Sequence, residues 1–320
     1  MRAEENKTIS FTVVTPVFNR SDCIGRCIES VINQNYENVE HWIVDDGSTD
    51  STYTLVKEYA SQYPAIRHYR FEKNKGVNAA RNYAIKNSSN NYIILLDSDD
   101  YFVADALHTI RNNILANPEY RHYLFAQNDR MDSYEQNPIL GEGKAEVAFA
   151  DFLSGKITGD FAHVMKSDLI QPFPFDEKFR IYENLNFYRI FKTAGKLLFI
   201  KKIVVNRDRD RSDSVTKETL LNNKKALYNQ YCVLREMTTL FKSDYLEFHA
   251  EATLSAMLKR VFILGLALGK YEEIAGTEAT AKKLNVKIPL LFRIIYRMKL
   301  GFILQKTLFL YSIIKNSIFH

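Results

Sequence analysis

The stretch Leu95-Leu96-Asp97-Ser98-Asp99-Asp100 decides how the rest of the chain is read. An apolar run that ends in three carboxylates within four residues reads as a strand leaving a sheet interior for a polar loop. Like charges that close repel one another and add nothing to packing, so they imply a compensating cation such as Mg²⁺ or Mn²⁺. The alternative is a solvated acidic turn capping a helix that begins near Ala104. A calcium loop fits worse, because its sixth position is Phe102 rather than Gly and its twelfth is His108 rather than Glu.

Working outward, Ile43-Val44-Asp45-Asp46-Gly47-Ser48-Thr49-Asp50 repeats the theme of an apolar strand running into acids and a glycine. A carboxylate there suits the ring N–H of uracil; alone, the motif is also a turn plus helix cap. Upstream, Phe11–Pro16 reads as a first strand, followed by Ile24, Cys27, Ile28 and Val31 at helical spacing with Ser21 as N-cap. His41–Asp45 is a second strand, and Asp50 caps a helix to about Gln62. Ile66–Phe71, Ala79–Asn87 and Tyr92–Asp97 continue the alternation. This is how a nucleotide-binding α/β sheet covered by crossover helices reads. In such sheets ligands sit at the carboxyl ends of the strands, so Asn19–Arg20, Asp45–Asp50 and Asp97–Asp100 are expected to face one crevice.

Taken with Val14-Thr15-Pro16-Val17-Phe18-Asn19 and Asn74-Lys75-Gly76-Val77-Asn78-Ala79-Ala80-Arg81-Asn82, these segments resemble the family two glycosyltransferases, whose catalytic domain has the GT-A fold. The resemblance runs from about Ile9 to Ser214, and the order of four motifs carries it. It implies an α/β/α sandwich that is metal-dependent and inverting, with a UDP-sugar donor. It places Thr15, Pro16, Phe18, Asn19, Asp46, Arg81, Asp97 and Asp99 at the donor, with Phe18 against the uracil face and Asp46 accepting from N3–H. Asp99 touches the ribose or the metal, and Asp100 holds the metal on the diphosphate. In Asn206–Ser214 the family often has a strand, a basic position and a Ser-x-Ser loop. Arg207 and Arg211 are therefore candidates for closing over the diphosphate; the other reading is a strip of surface ion pairs.

An inverting transfer needs a base on the far face of the sugar. Family members commonly supply it from a Glu-Asp pair opening a helix, but here the pair reads Glu183-Asn184, ahead of a helix expected from about Tyr182 to Ala194. Asn184 cannot accept a proton, so Glu183 is the expected base, with Asp160 or Asp176 in reserve. The substitution also admits a nucleotide-sugar-binding protein that has lost catalysis.

The 320 residues, 46% hydrophobic, suffice for residues 1–214 as a GT-A domain (about 9–128 for the nucleotide sugar, 129–214 for the acceptor side and the base) and a helical region at 215–320 broken near Gly269 and Pro289. Three cysteines without metal-type spacing and a charged N-terminus with no apolar run point to the cytoplasm. The net charge of +5 hides an asymmetry: from Ala279 to His320 there is no acid and there are eight Lys or Arg, leaving 35 against 38, or −3, before it. Pro289–Phe319 is apolar but interrupted by Arg293, Arg297, Lys299, Lys306 and Lys315, so it is not expected to cross a bilayer. It suits an anionic membrane surface, or packing on Val215–Gly269 or on a second subunit of a homodimer. On one continuous helix Lys299 and Lys306 would oppose Arg293, Arg297 and Lys315.

The acceptor expected from the resemblance is a glycan or lipid-linked saccharide. A dinucleotide-dependent oxidoreductase is excluded because Val17-Phe18-Asn19-Arg20 contains no glycine. No nucleic acid is expected, since the tail's charges alternate with large aliphatics instead of forming a stripe.

Overall fold

The structure, a computed structural model, describes residues 8–179, 183–208 and 224–306. The chain divides into two units, one comprising 1–149 with 157–210 and the other 150–156 with 211–320.

In the first unit, nine strands form one mixed sheet among the described residues: β1 (Phe11–Val17), β2 (Val39–Asp45), β3 (Ile66–Arg70), β4 (Tyr92–Leu95), β5 (Tyr101–Phe102), β6 (His122–Gln127), β7 (Lys144–Ala148), β8 (Ala162–Lys166) and β9 (Lys196–Asn206). Their order is β3-β2-β1-β4-β8-β6-β9-β5, with β7 beside β9. The first four run parallel, as strands joined by the crossover helices α1 (Ile24–Ile32), α2 (Thr52–Gln62) and α3 (Val77–Asn87) must. A fourth helix, α4, spans Ala106–Ala116. Beyond β4 the sheet turns mixed, because β8 runs antiparallel to both β4 and β6.

Every residue of β1 is buried, since both faces of the sheet are covered. Phe11, Val13 and Val17 enter a core with Ile24, Ile28 and Val56 on one side, while Val14 joins Ala80, Ala84 and Ile93 on the other. Ser51, not Asp50, holds the cap position of α2, and the Asp50 carboxylate accepts the N–H of Thr52, the first helical residue, at 3.0 Å. Ser21 does not cap α1: the chain is already turning, the Arg20 carbonyl takes the Ile24 N–H at 2.9 Å, and Cys23 holds the cap position.

The second unit is helical, with Lys224–Leu240, Glu251–Ala267, Tyr271–Lys283 and Leu290–Arg297 as its main helices. Its core includes Leu227, Tyr231, Phe262, Ile274 and Ile295. The breaks fall at Gly269, with φ of 73°, and at Pro289. Among the described residues no helix is long and apolar enough to cross a membrane.

Candidate active site

In-register parallel pairing brings the acid-bearing loops to one edge of the sheet. Val17 lies opposite Asp45, so β1 and β2 end together, while Leu95, the last residue of β4, lies opposite Val14, three residues before the end of β1. The Asp46 N–H then closes onto the Val17 carbonyl at 2.8 Å, and that of Leu96 onto Val14 at 3.0 Å.

At the ends of β1 and β2, Asn19 adopts a left-handed φ of 51°. Its N–H donates to Ser48 Oγ at 2.9 Å and its Oδ1 accepts the Thr49 N–H at 2.8 Å, locking the two loops together. Phe18 and Asn19 are half-buried beside them. Asp46 is buried, and its two oxygens accept the N–H groups of Lys75 and Gly76 at 2.6 and 2.8 Å. Gly47 has a φ of 77°, and a Cβ there would fall 2.9 Å from the Lys73 carbonyl carbon, so only glycine lets the two loops approach. Thr15 is turned into the core with its hydroxyl 2.9 Å from His41 Nε2, and Pro16 is buried in β1; both support the strand beneath the loops.

Arg81 on α3 is the hub. Its guanidinium donates to Asp97 Oδ1 and to Glu183 Oε1, each at 2.7 Å, and lies over the Phe175 ring. Burial alone would weaken its hold on the proton, but the charges of Asp97 and Glu183 outweigh that and raise its pKa. The rest of the same helix face orders the far wall: Asn78 donates to the carbonyls of Asp176 and Phe179, and Asn82 exchanges hydrogen bonds with the Phe175 backbone. The sequence segment Asn78–Asn82 thus ties the start of α3 to the segment Phe175–Phe179.

Glu183 is the residue before the helix Asn184–Ala194, half-buried, while Asn184 is exposed. One turn on, Phe187 stacks on His163 with ring centroids 4.2 Å apart, and His163 Nδ1 lies 3.0 Å from His122 Nε2. Burial holds His163 down to about 3, so this pair is neutral.

Asp100 is 9% exposed. Burial, then the charges of Asp97 and Asp99, push its carboxyl up to about 8, against the pull of Arg207, whose Nε is 4.0 Å away. Arg207 also donates to Gln127 Oε1 at 2.7 Å and Asp160 Oδ2 at 3.0 Å. Arg26 on α1 completes the rim, donating to the Asp99 carbonyl at 3.0 Å and Asp208 Oδ2 at 2.8 Å while lying over Tyr101.

The structure therefore gathers Phe18, Asn19, Asp46, Arg81, Asp97, Asp99, Asp100, Glu183 and Arg207 at one edge; Arg211 lies outside the described residues. Sequence reasoning missed Arg26, which reads as an ordinary helix-surface arginine, and the His122–His163 pair, which consists of two isolated strand histidines 41 residues apart. No local signal marks either.

Among the described residues, no group of three His, Cys, Asp or Glu side chains is arranged to hold a metal ion. Mg²⁺ or Mn²⁺ on a nucleotide does not need such a cage, since one or two carboxylates plus phosphate oxygens and water complete its octahedron. Asp100 fits that role, because a cation would relieve the charge that burial and its two neighbours disfavour.

A mixed α/β sheet with its acids gathered at the carboxyl ends of the parallel strands, in a chain that also carries a helical region, defines a GT-A-like protein. Residues 12–136 match the family "Glycosyl transferase family 2", so this part of the chain is a domain of that family. A GalNAc(5)-diNAcBac-PP-undecaprenol beta-1,3-glucosyltransferase of Campylobacter jejuni is 27% identical over 237 residues, covering 73% of this chain and 74% of that protein. Other relatives are far longer: the chain spans only 25%, 14% and 11% of three of them. Among solved structures, S. aureus TarS 1-349 in complex with UDP-GlcNAc has the same fold, with a TM-score of 0.63 and 18% identity over 94% of this chain and 90% of that one. The mannosyltransferase PcManGT of Pyrobaculum calidifontis, in complex with GDP-Man and Mn²⁺, has a TM-score of 0.59 and 18% identity over 94% and 87%.

Proposed function

We propose that this chain transfers a sugar, with inversion, from a UDP-sugar to a glycan or lipid-linked saccharide in surface polysaccharide synthesis, with Mn²⁺ or Mg²⁺ at Asp99 and Asp100. The observation that carries this reading is the Arg81 bridge, which puts Glu183 and the donor-side Asp97 on one guanidinium, each 2.7 Å away. Acid for the donor and base for the acceptor thus share one edge.

In this reading Phe18 lies on the uracil face and Asp46 accepts from N3–H, its oxygens already oriented by two backbone N–H groups. The acceptor hydroxyl attacks C1 as the bond from C1 to the phosphate oxygen breaks. Its proton passes to Glu183, and UDP leaves with the electron pair. The metal, when bound, supplies positive charge for the leaving diphosphate. Arg207 adds to it by exchanging Asp160 for phosphate, and Arg211 is proposed for the same task on the resemblance alone. A UDP-sugar donor and a lipid-linked acceptor are in keeping with what the TarS and C. jejuni relatives are described as binding or acting on.

A panel of UDP- and GDP-sugars with Mn²⁺, screened by thermal shift, tests the donor, because only a ligand of the native state raises apparent stability. A positive donor is then assayed for transfer and hydrolysis. Stabilisation by no nucleotide sugar overturns the proposal; binding without turnover on any acceptor returns the chain to the catalytically impaired reading that Asn184 raised.

A further inference from the structure

The basic C-terminal region is not absorbed by this chemistry, and its described part has a definite surface. The helix Leu290–Arg297 turns Ile295, 9% exposed, into the core of the second unit, with Phe292 and Tyr296 packed beside it. Leu290, Leu291, Ile294 and Met298 are left outside, the first two 70% and 63% exposed. The expectation of opposed charges along one straight helix is corrected here for Arg293, Arg297, Lys299 and Lys306, while Lys315 lies outside the described residues. The helix stops at Arg297, Lys299 takes a left-handed φ of 54°, and a new helical turn at 301–306 starts with a different phase. That turn leaves Phe302 and Ile303 exposed as well.

Arg293, Arg297, Lys299 and Lys306 are all exposed between these apolar side chains, and no acid occurs anywhere in residues 279–320. Exposed apolar side chains of this size on a monomer mark an interaction site. The charge selects the occupant. Two copies meeting face to face would press like charges together without a compensating acid. Nucleic acid would match the charge and leave six large apolar groups without a partner. An anionic bilayer satisfies both, with acyl chains for the aliphatics and headgroups for the arginines and lysines.

We infer that this face of the second unit docks on anionic lipid. The inference is independent of sugar transfer, and its test uses no nucleotide. The full chain is sedimented with phosphatidylcholine vesicles that contain either none or roughly 30 mol % phosphatidylglycerol. Binding is expected only to the anionic vesicles and is expected to weaken in high salt. Leu290→Ser combined with Leu291→Ser and Met298→Ser is expected to lower the partition coefficient at least about tenfold, since each aliphatic group withdrawn from the acyl region adds to the loss. Arg293→Glu with Arg297→Glu is expected to abolish the preference for anionic lipid, and both sets, lying on the surface, to leave the melting temperature unchanged. Three results would overturn the inference: no binding by the wild type, binding indifferent to phosphatidylglycerol or to both variants, or a dimer in solution that the serine variant disperses.

Discussion

Asp100→Asn tests the electrostatics of the site without knowledge of the substrate. An unfolded aspartate titrates near 4, roughly, whereas folding pushes Asp100 up to about 8 through burial and its neighbours Asp97 and Asp99. Between those values the native state keeps a proton that the unfolded state has released, so stability is greatest at low pH and falls as pH rises through that window. Each pH unit costs up to about 1.4 kcal/mol, so going from pH 5 to 7 costs about 2.7 kcal/mol at most. Solvent screening at the open side of the site reduces this, and about 1–2 kcal/mol is expected, or roughly 2–8 °C in Tm. Asparagine keeps the shape without the charge. The assay is the Tm of both proteins from pH 5 to 8 in EDTA. The wild type should lose several degrees relative to Asp100→Asn as pH rises, and the variant should be the more stable at pH 7. Mn²⁺ with UDP should restore the wild type alone, increasingly so up to about pH 8. Parallel Tm profiles for the two proteins in EDTA would refute the argument.

Other outcomes follow from the same geometry. Glu183→Gln is expected to cut transfer on the order of 10²–10⁴-fold while UDP binding, followed by calorimetry, stays near wild type; full activity would move the base elsewhere. Gly47→Ala combines a left-handed φ with a Cβ placed 2.9 Å from backbone, and a loss of roughly 2 kcal/mol or more in urea unfolding is expected. A neutral result there would mean that the Gly47 and Lys73 loops separate freely.

The parallel half of the sheet was legible because β1, β2 and β4 are short runs rich in buried apolar residues and alternate with helices, and β1 and β2 were placed within a residue or two. The antiparallel half was not. β8 and β9 are ordinary half-apolar segments, and β9 owes its eleven residues to pairing with β5, β6 and β7, which local periodicity does not record. At the site, Asp46, Asp97 and Asp100 announced themselves by clustering against apolar strands. That Asp97 and Glu183 share Arg81 could not be read, because the three positions are 16 and 102 residues apart. Thr15 illustrates the reverse error: it sits inside a motif, yet its hydroxyl serves His41.

The two backbone N–H groups on Asp46 also limit how this protein can change. Replacing the carboxylate with an amide would swap one acceptor oxygen for a second donor, facing either Lys75 or Gly76, so if Asp46 holds the base as proposed, a mutation there that retunes base preference would also loosen the loop opening α3. Drift toward another nucleotide therefore has to come from reshaping neighbouring loops, and Asp46 should be among the slowest positions to vary.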